Sequence, residues 1–118
     1  MEQNDLGKCT SGLQPNVAAC LSYAVGLVTG IIFYLTEKEN KFVRFHAIQS
    51  IIVFGALTVI HIANAYFLYY ILPWGIRSLI SVVIGLGGLI LWLVLMIKAY
   101  QGEQFKLPIA GDIAEKNA

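Results

Sequence analysis

The chain has 118 residues, a net charge of +1, 58% hydrophobic residues and only 13% charged residues. An ordinary soluble domain carries about 25% charged residues, so the composition excludes a typical soluble fold. The scattered basic residues also exclude the clustered basic face that binds nucleic acid. Residues 17–35, 45–76 and 78–97 contain no charged side chain. Since about 20 apolar residues cross a ~30 Å hydrocarbon core, these stretches predict an all-α, integral membrane helical bundle.

The predicted elements are three transmembrane helices, at about 17–35, 45–72 and 78–97. Pro15 is a favourable residue for the first turn of the first helix, which ends at the charged segment 36–41. Pro73 and Gly75 predict a turn after the second helix, and Gly102 is suited to cap the chain after the third. Residues 1–16 then form an N-terminal tail, residues 17–97 the transmembrane domain, and residues 98–118 a C-terminal tail.

The basic residues predict the orientation of these helices. With three crossings, one side of the membrane receives two basic residues, Lys8 and Arg77. The other side receives six: Lys38, Lys41, Arg44, Lys98, Lys106 and Lys116. Because basic residues concentrate on the cytoplasmic side, we expect the N-terminus outside and the C-terminus in the cytoplasm. The short loops favour a prokaryotic plasma membrane.

Small residues recur along two of the predicted helices. The first carries Ser22, Gly26 and Gly30, and the third carries Ser81, Gly85 and Gly88. Such stripes let helix backbones approach closely in lipid, where there is little hydrophobic incentive to associate. The pattern fits packing inside one chain, and it also fits the seam of a homo-oligomer.

The second predicted helix carries polar residues within apolar sequence: His46, Gln49, Ser50, His61 and Asn64. At 100° per residue they form a stripe about 120° wide. Polar side chains avoid lipid, so the stripe is expected to face protein or a watery cavity. One interpretation is a lane for ions, protons or a translocating chain. The other is hydrogen bonding between helices.

The sequence does not favour an enzyme or a metal site. His46 and His61 are about 22 Å apart along a helix, too far to share a metal ion. Motifs such as HExxH, GxSxG and the P-loop are missing from the sequence. His46 is the best candidate for an acid or base acting on a lipid headgroup. We expect no enzymatic activity, no cofactor and no metal.

Several segments resemble one known family. They are Asn16-Val-Ala-Ala before Leu21-Ser-Tyr, Gly30-Ile-Ile-Phe-Tyr, the block FVRFHAIQS at 42–50, and KLPIAGDIAEK at 106–116. This pattern is similar to that of a family of small uncharacterised prokaryotic membrane proteins. The family is grouped with the import component of the chloroplast inner envelope (Tic20-like). The resemblance implies a three-helix membrane protein, and only weakly a role in protein translocation.

Charged residues beside the central block suggest a cytoplasmic docking patch, in which the tail folds back on the first loop. Its candidate residues are Glu37, Glu39, Lys41, Arg44, Lys106 and Asp112. Simple anchoring of the tail at the membrane surface is the alternative. Asp112 and Glu115 have the spacing of a capping box and predict a short C-terminal amphipathic helix.

The predicted function is a non-enzymatic accessory or scaffold subunit of a membrane complex. The alternative is a homo-oligomeric channel or protein-translocation component that uses the polar stripe of the second helix. The expected partners are the lipid bilayer and either further copies of the chain or a larger membrane protein.

Overall fold

A computed structural model describes Cys9 and residues 12–118, and every regular element in this part of the chain is helical. The described residues form five α-helices: α1 (Pro15–Ala24), α2 (Leu27–Thr36), α3 (Lys41–Tyr66), α4 (Trp74–Tyr100) and α5 (Ala110–Asn117). A 3₁₀ turn, Leu68–Tyr70, follows α3. The predicted all-α class is therefore confirmed for the described residues. Most of the predicted N-terminal tail lies outside them.

The two long helices α3 and α4 form an antiparallel hairpin. α3 begins where the Asn40 side chain accepts a hydrogen bond from the Val43 N–H (3.0 Å), which is ordinary N-capping. α4 follows Pro73 and ends before Gly102, whose φ of +82° suits glycine. Only these two helices, among the described residues, are long and apolar enough to span a membrane. They correspond to the second and third predicted crossings.

The first predicted crossing is not one helix, and here the structure corrects the sequence-based prediction. The chain breaks at Val25 and Gly26, where Gly26 has a φ of +59°. Thr29 holds the break by accepting a hydrogen bond from the Val25 N–H (3.1 Å) and donating one to the Ser22 carbonyl (3.1 Å). The resulting helices α1 and α2 have ten residues each. Each rises about 15 Å, half of the hydrocarbon thickness.

The α1–α2 pair is a helical hairpin that begins and ends at one end of the α3–α4 hairpin, and we call it the re-entrant hairpin. Near the start of α1, the Asn16 side chain donates to the Tyr100 carbonyl at the end of α4 (2.9 Å). After α2, the Glu37 carbonyl accepts from Arg44 in the first turns of α3 (2.8 Å). Both ends of the described chain therefore lie at the same end of the α3–α4 hairpin, so the structure does not confirm the predicted orientation with the termini on opposite sides. We call the end with Lys41 and Tyr100 the basal end, and the end with the 3₁₀ turn the distal end.

The tip of this hairpin reaches only the middle of α3. Ser50 donates a hydrogen bond to the Gly26 carbonyl (3.0 Å), and the Phe54 ring lies 3.2 Å from where a Cβ on Gly26 would stand. The buried part of α3 accordingly runs from Phe42 to Val53, and beyond it only Asn64 is buried. The basal half is thus surrounded by α1, α2 and the tail, while the distal half of the described chain consists of α3, α4 and the 3₁₀ turn between them.

After α4 the chain turns back along the bundle. Residues 103–109, which we call the strap, run beside α3, and α5 then packs Ala114 against Phe45 and Ile48. The prediction of a short C-terminal helix is confirmed, but the predicted capping box is wrong. α5 begins at Ala110, so Asp112 lies inside its first turn and pairs with Lys106 (3.1 Å). A tight turn at Ile109 (φ +67°) joins the strap to α5.

Candidate functional site

The predicted polar stripe of α3 divides into two separate sites. His46, Gln49 and Ser50 are fully buried in the basal half. Asn64 is buried near the distal end, but His61 is exposed. The stripe therefore faces protein only where another element covers it. The basal site and the distal site have different partners and are described in turn.

The basal site is centred on His46, which bridges α1 and the strap. Its Nε2 lies 3.1 Å from the Glu103 carbonyl oxygen, and its Nδ1 lies 2.7 Å from the Tyr23 hydroxyl. A carbonyl oxygen can only accept, so Nε2 carries the proton. Nδ1 is then the acceptor, and the Tyr23 hydroxyl donates to it. The geometry thereby selects one neutral tautomer of the histidine.

Gln49 extends the network, and both the nitrogen and the oxygen of its side-chain amide form hydrogen bonds. Its Nε2 donates to the Tyr23 hydroxyl (3.0 Å) and to the Phe105 carbonyl (2.8 Å). Its Oε1 accepts from the Leu107 N–H (3.0 Å). The side chain therefore pairs with the strap backbone on both sides of Lys106, as a neighbouring strand would. It supplies partners to backbone groups that would otherwise be buried without them.

The surroundings of this network are apolar and tightly packed. The Phe42 and Phe45 rings meet the His46 ring edge-on, with centroids 4.6 and 5.1 Å away. The indole N–H of Trp92 on α4 donates to the Tyr23 carbonyl (2.7 Å). Tyr23, Trp92 and the strap carbonyls were not predicted as site residues. Tyr23 and Trp92 lie in apolar runs where nothing in sequence distinguishes a bonded aromatic residue from a lipid-facing one.

The residues of the predicted docking patch fall into two clusters, one at the loop before α3 and one on the tail. In one, Arg44 donates to the Tyr34 and Glu37 carbonyls (3.3 and 2.8 Å) and stacks on the Tyr34 ring. Glu37 is only 2% exposed, and its carboxylate accepts from the Glu39 and Asn40 N–H groups. Burial of Glu37 makes it a structural residue of the loop, whereas Lys41 is exposed.

The second cluster lies on the tail, where Lys106 forms ion pairs with Asp112 (3.1 Å) and Glu115 (2.6 Å). These contacts raise the pKa of the Lys106 ammonium, with Glu115 as the larger cause. All three side chains are well exposed, so the pairs contribute little to stability. They fix the strap to the first turn of α5, where a Cβ on Gly111 would stand 2.7 Å from the Cβ of Lys106.

Cys9 lies beside the loop at the basal end. It is buried against Ala18 and Val43. Burial, and then the negative charge and hydrogen bonding of Glu37, raise the pKa of the Cys9 thiol from 9.0 to about 11. The thiol therefore stays protonated at neutral pH, and a thiol is a poor nucleophile.

The small residues of the first predicted helix pack inside the chain. Ser22 is fully buried, and a Cβ on Gly30 would stand 3.0–3.2 Å from atoms of Ser50 and Ala47. On α4, Gly88 has ordinary contact with Leu57, whereas Gly85 faces open space. The first stripe therefore joins the re-entrant hairpin to α3, and the second remains partly uncovered in a single chain.

The distal site is a groove of about 600 Å³ between α3 and α4. Asn64 donates to the Ser81 hydroxyl (2.6 Å) and to the Arg77 carbonyl (3.2 Å). Arg77 in turn donates to the carbonyls of Asn64 (3.2 Å) and Ala65 (3.1 Å) at the end of α3. The residues that line the groove are His61, Asn64, Ala65, Trp74, Arg77, Ser78, Ser81 and Val82.

No group of three or more His, Cys, Asp or Glu side chains in the described part of the chain is arranged to hold a metal ion. The chemical groups at the two sites are hydroxyl, amide, imidazole and guanidinium groups. They are suited to hydrogen bonding and, at the distal site, to binding an anion.

Comparison with known proteins gives consistent results. A family model described as the magnetosome magnetite crystal formation protein family matches residues 13–114. The UPF0132 membrane protein MJ1443 of Methanocaldococcus jannaschii is 50% identical over 111 residues, 94% of each chain. A UPF0132 membrane protein of Archaeoglobus fulgidus is 47% identical over 104 residues, 88% of this chain and 95% of the relative.

No solved structure matches the chain. The grouping with the chloroplast import component is not tested by these matches and stays a prediction. The relatives are named as membrane proteins and the chain has two long apolar helices, so an integral membrane protein is supported. The chain belongs to the magnetosome magnetite crystal formation protein family, together with archaeal UPF0132 membrane proteins that match nearly its whole length.

Proposed function

We propose that the protein is a non-enzymatic accessory or scaffold subunit of a larger membrane complex. The observation that carries this proposal is that the polar side-chain atoms of His46 and Gln49 all have hydrogen-bond partners within the chain. His46 and Gln49 bond to Tyr23 and to the strap, so their polar atoms serve to hold the hairpin and the strap on α3. Such side chains are poorly suited to catalysis, which needs a group within reach of a substrate.

The same proposal includes an orientation in the plasma membrane. With α3 and α4 as the two crossings, both described chain ends lie on one side. Six of the seven described basic residues belong to the basal end: Lys38, Lys41, Arg44, Lys98, Lys106 and Lys116. Only Arg77 belongs to the distal end. The excess of basic residues favours a cytoplasmic basal end, and both described chain ends are then cytoplasmic.

The exposed distal half supplies a surface for a partner within the membrane. Gly85 has no atom within 4 Å of the place where its Cβ would stand, and small residues allow close approach of another helix. The family description names magnetite crystal formation. For this chain we propose the more general role of a subunit, because its buried polar side chains bond to its own backbone.

The alternative is a homo-oligomeric channel or translocation component that uses the α3 stripe. It has less support, because a lane past His46 and Gln49 would require the strap to break its hydrogen bonds with these two side chains. His61, the residue that we predicted further along the lane, is exposed.

The test is native mass spectrometry of the protein extracted gently from its own membranes. A complex of fixed stoichiometry with a larger membrane protein is expected. A photo-crosslinking residue at Gly85 should join the two proteins, and the same residue at the buried Ala47 should not. A closed homo-oligomer with nothing else bound would contradict the proposal. Reporters fused to the two termini should both respond on the cytoplasmic side.

A further inference from the structure

The distal groove lies at the end of the two long helices that carries exposed aromatic side chains. It lies at the last turns of α3 and the first turns of α4, and exposed aromatic residues surround it. Tyr70 is 86% and Trp74 77% exposed, and Tyr66 and Tyr69 are also exposed. Tyrosine and tryptophan concentrate at membrane–water interfaces. A ligand in this groove would therefore be at headgroup depth.

Arg77 gives the groove a positive charge and N–H donors that are not used by the described part of the protein. Its guanidinium has five N–H groups, and the carbonyls of Asn64 and Ala65 take two of them. No other hydrogen bond of this guanidinium is found among the described residues. Arg77 also stands in the first turn of α4, where a helix already favours negative charge. Guanidinium and helix terminus together favour an anion such as a phosphate.

The side-chain oxygen of Asn64 is a second and independent indication that the groove binds a ligand. The residue is only 4% exposed, and its side-chain oxygen Oδ1 has no hydrogen-bond partner within the described part of the chain. Its amide nitrogen is already engaged with Ser81 and the Arg77 carbonyl. Buried polar atoms nearly always have a partner. The oxygen can only accept, so the missing partner is a donor such as a hydroxyl group.

We infer that the distal groove binds the headgroup of an anionic phospholipid whose headgroup carries a hydroxyl, of the phosphoglycerol type. The phosphate contacts Arg77 and Ser78, and the hydroxyl donates to Asn64. His61 at the rim offers a further hydrogen bond to the headgroup. The groove volume of about 600 Å³ is large enough for such a group. The acyl chains continue along the exposed aliphatic surface of α4.

The test compares lipids on the intact purified protein. The protein is placed in nanodiscs that contain phosphatidylglycerol, or phosphatidylcholine, which has no hydroxyl donor and no net charge. Lipid retained after release is counted by native mass spectrometry. One phosphatidylglycerol per chain is expected, with at least about tenfold preference over phosphatidylcholine. Arg77→Gln should lower this affinity about tenfold, the loss typical of a charge-assisted hydrogen bond. Lys98→Gln, at the basal end, should leave the affinity unchanged.

Two further variants keep the test decisive if Arg77→Gln does not fold. His61→Leu and Ser78→Ala change the groove lining without removing a described hydrogen bond, and each should weaken retention of phosphatidylglycerol. Equal retention of both lipids, or retention unchanged in all three groove variants, would overturn the inference. Displacement of the lipid by an equal concentration of soluble glycerol phosphate would overturn the assignment to a membrane lipid.

Discussion

The basal network predicts that Gln49 holds the strap in place, and Gln49→Leu tests this directly. The substitution keeps an apolar side chain of similar size but removes three hydrogen bonds, to the Tyr23 hydroxyl, the Phe105 carbonyl and the Leu107 N–H. In membrane proteins such bonds contribute about 0.6 kcal/mol each on average. A buried polar group that loses its hydrogen-bond partner lowers the stability by about 1–3 kcal/mol.

We expect the free energy of opening the strap to fall by about 2–3 kcal/mol. The decrease is no larger because the strap backbone can form hydrogen bonds with water once it detaches. Hydrogen–deuterium exchange of the strap amides measures this opening. An opening made easier by about 2–3 kcal/mol raises the exchange rate of the Leu107 amide about 30- to 150-fold. The amides in the first turns of α4, at the distal end, should exchange as in the unmodified protein, because the strap lies beside the basal half of α3.

Thr58→Val is the matched control on the same helix. Thr58 is exposed, and its hydroxyl donates only to the Phe54 carbonyl of α3 itself (2.7 Å). This variant removes a hydroxyl from α3 without touching the strap, so strap exchange should not change. If Gln49→Leu also left Leu107 protected, the network would not be what holds the strap, and the scaffold proposal would lose its main support.

Two further predictions follow from close packing and charge. Gly30→Ala places a methyl group 3.0–3.2 Å from α3 atoms, including a backbone oxygen. It should lower the free energy of unfolding by about 1–3 kcal/mol, and with it the thermal midpoint. Gly85→Ala, the control, faces open space and should not lower the thermal midpoint. Cys20, the other cysteine of the sequence, is first replaced by alanine (Cys20→Ala) so that only Cys9 can react. Maleimide labelling of Cys9 should then stay slow at pH 8 and accelerate only as the pH approaches about 11, because only the thiolate reacts. Glu37→Gln should lower the pKa of Cys9 and speed labelling, and an unchanged labelling rate would contradict the electrostatic role of Glu37.

The polar stripe shows how far helical periodicity predicts burial. His46, Gln49 and Ser50 were predicted to face protein, and all three are buried. His61 lies at nearly the same angle as Ser50 around α3, yet it is exposed. The angle of a residue is a property of one helix, whereas burial depends on whether a neighbour covers that face. The re-entrant hairpin stops at the level of Ser50 and leaves His61 uncovered.

The break in the first apolar run was not predictable from its length or composition. Gly26 and Gly30 have the same spacing pattern as many straight membrane helices. Gly26 is the break because Ser50 and Phe54, distant in sequence, contact it there. The absence of charged residues from 45–76 and 78–97, by contrast, is a local property, and it predicted both long helices. The strap was missed because its partners are side chains on α3 that bond to backbone.

The half-depth hairpin also has a consequence for the order of assembly. α1 and α2 leave the ribosome first, but ten-residue helices are marginal by themselves. The contacts that hold them come from α3, α4 and the strap, which are synthesised later. At ~5–20 residues per second, that interval lasts several seconds. The N-terminal helices therefore lack these partners until α3 and α4 have been made, and the strap and α5 follow only after both long helices.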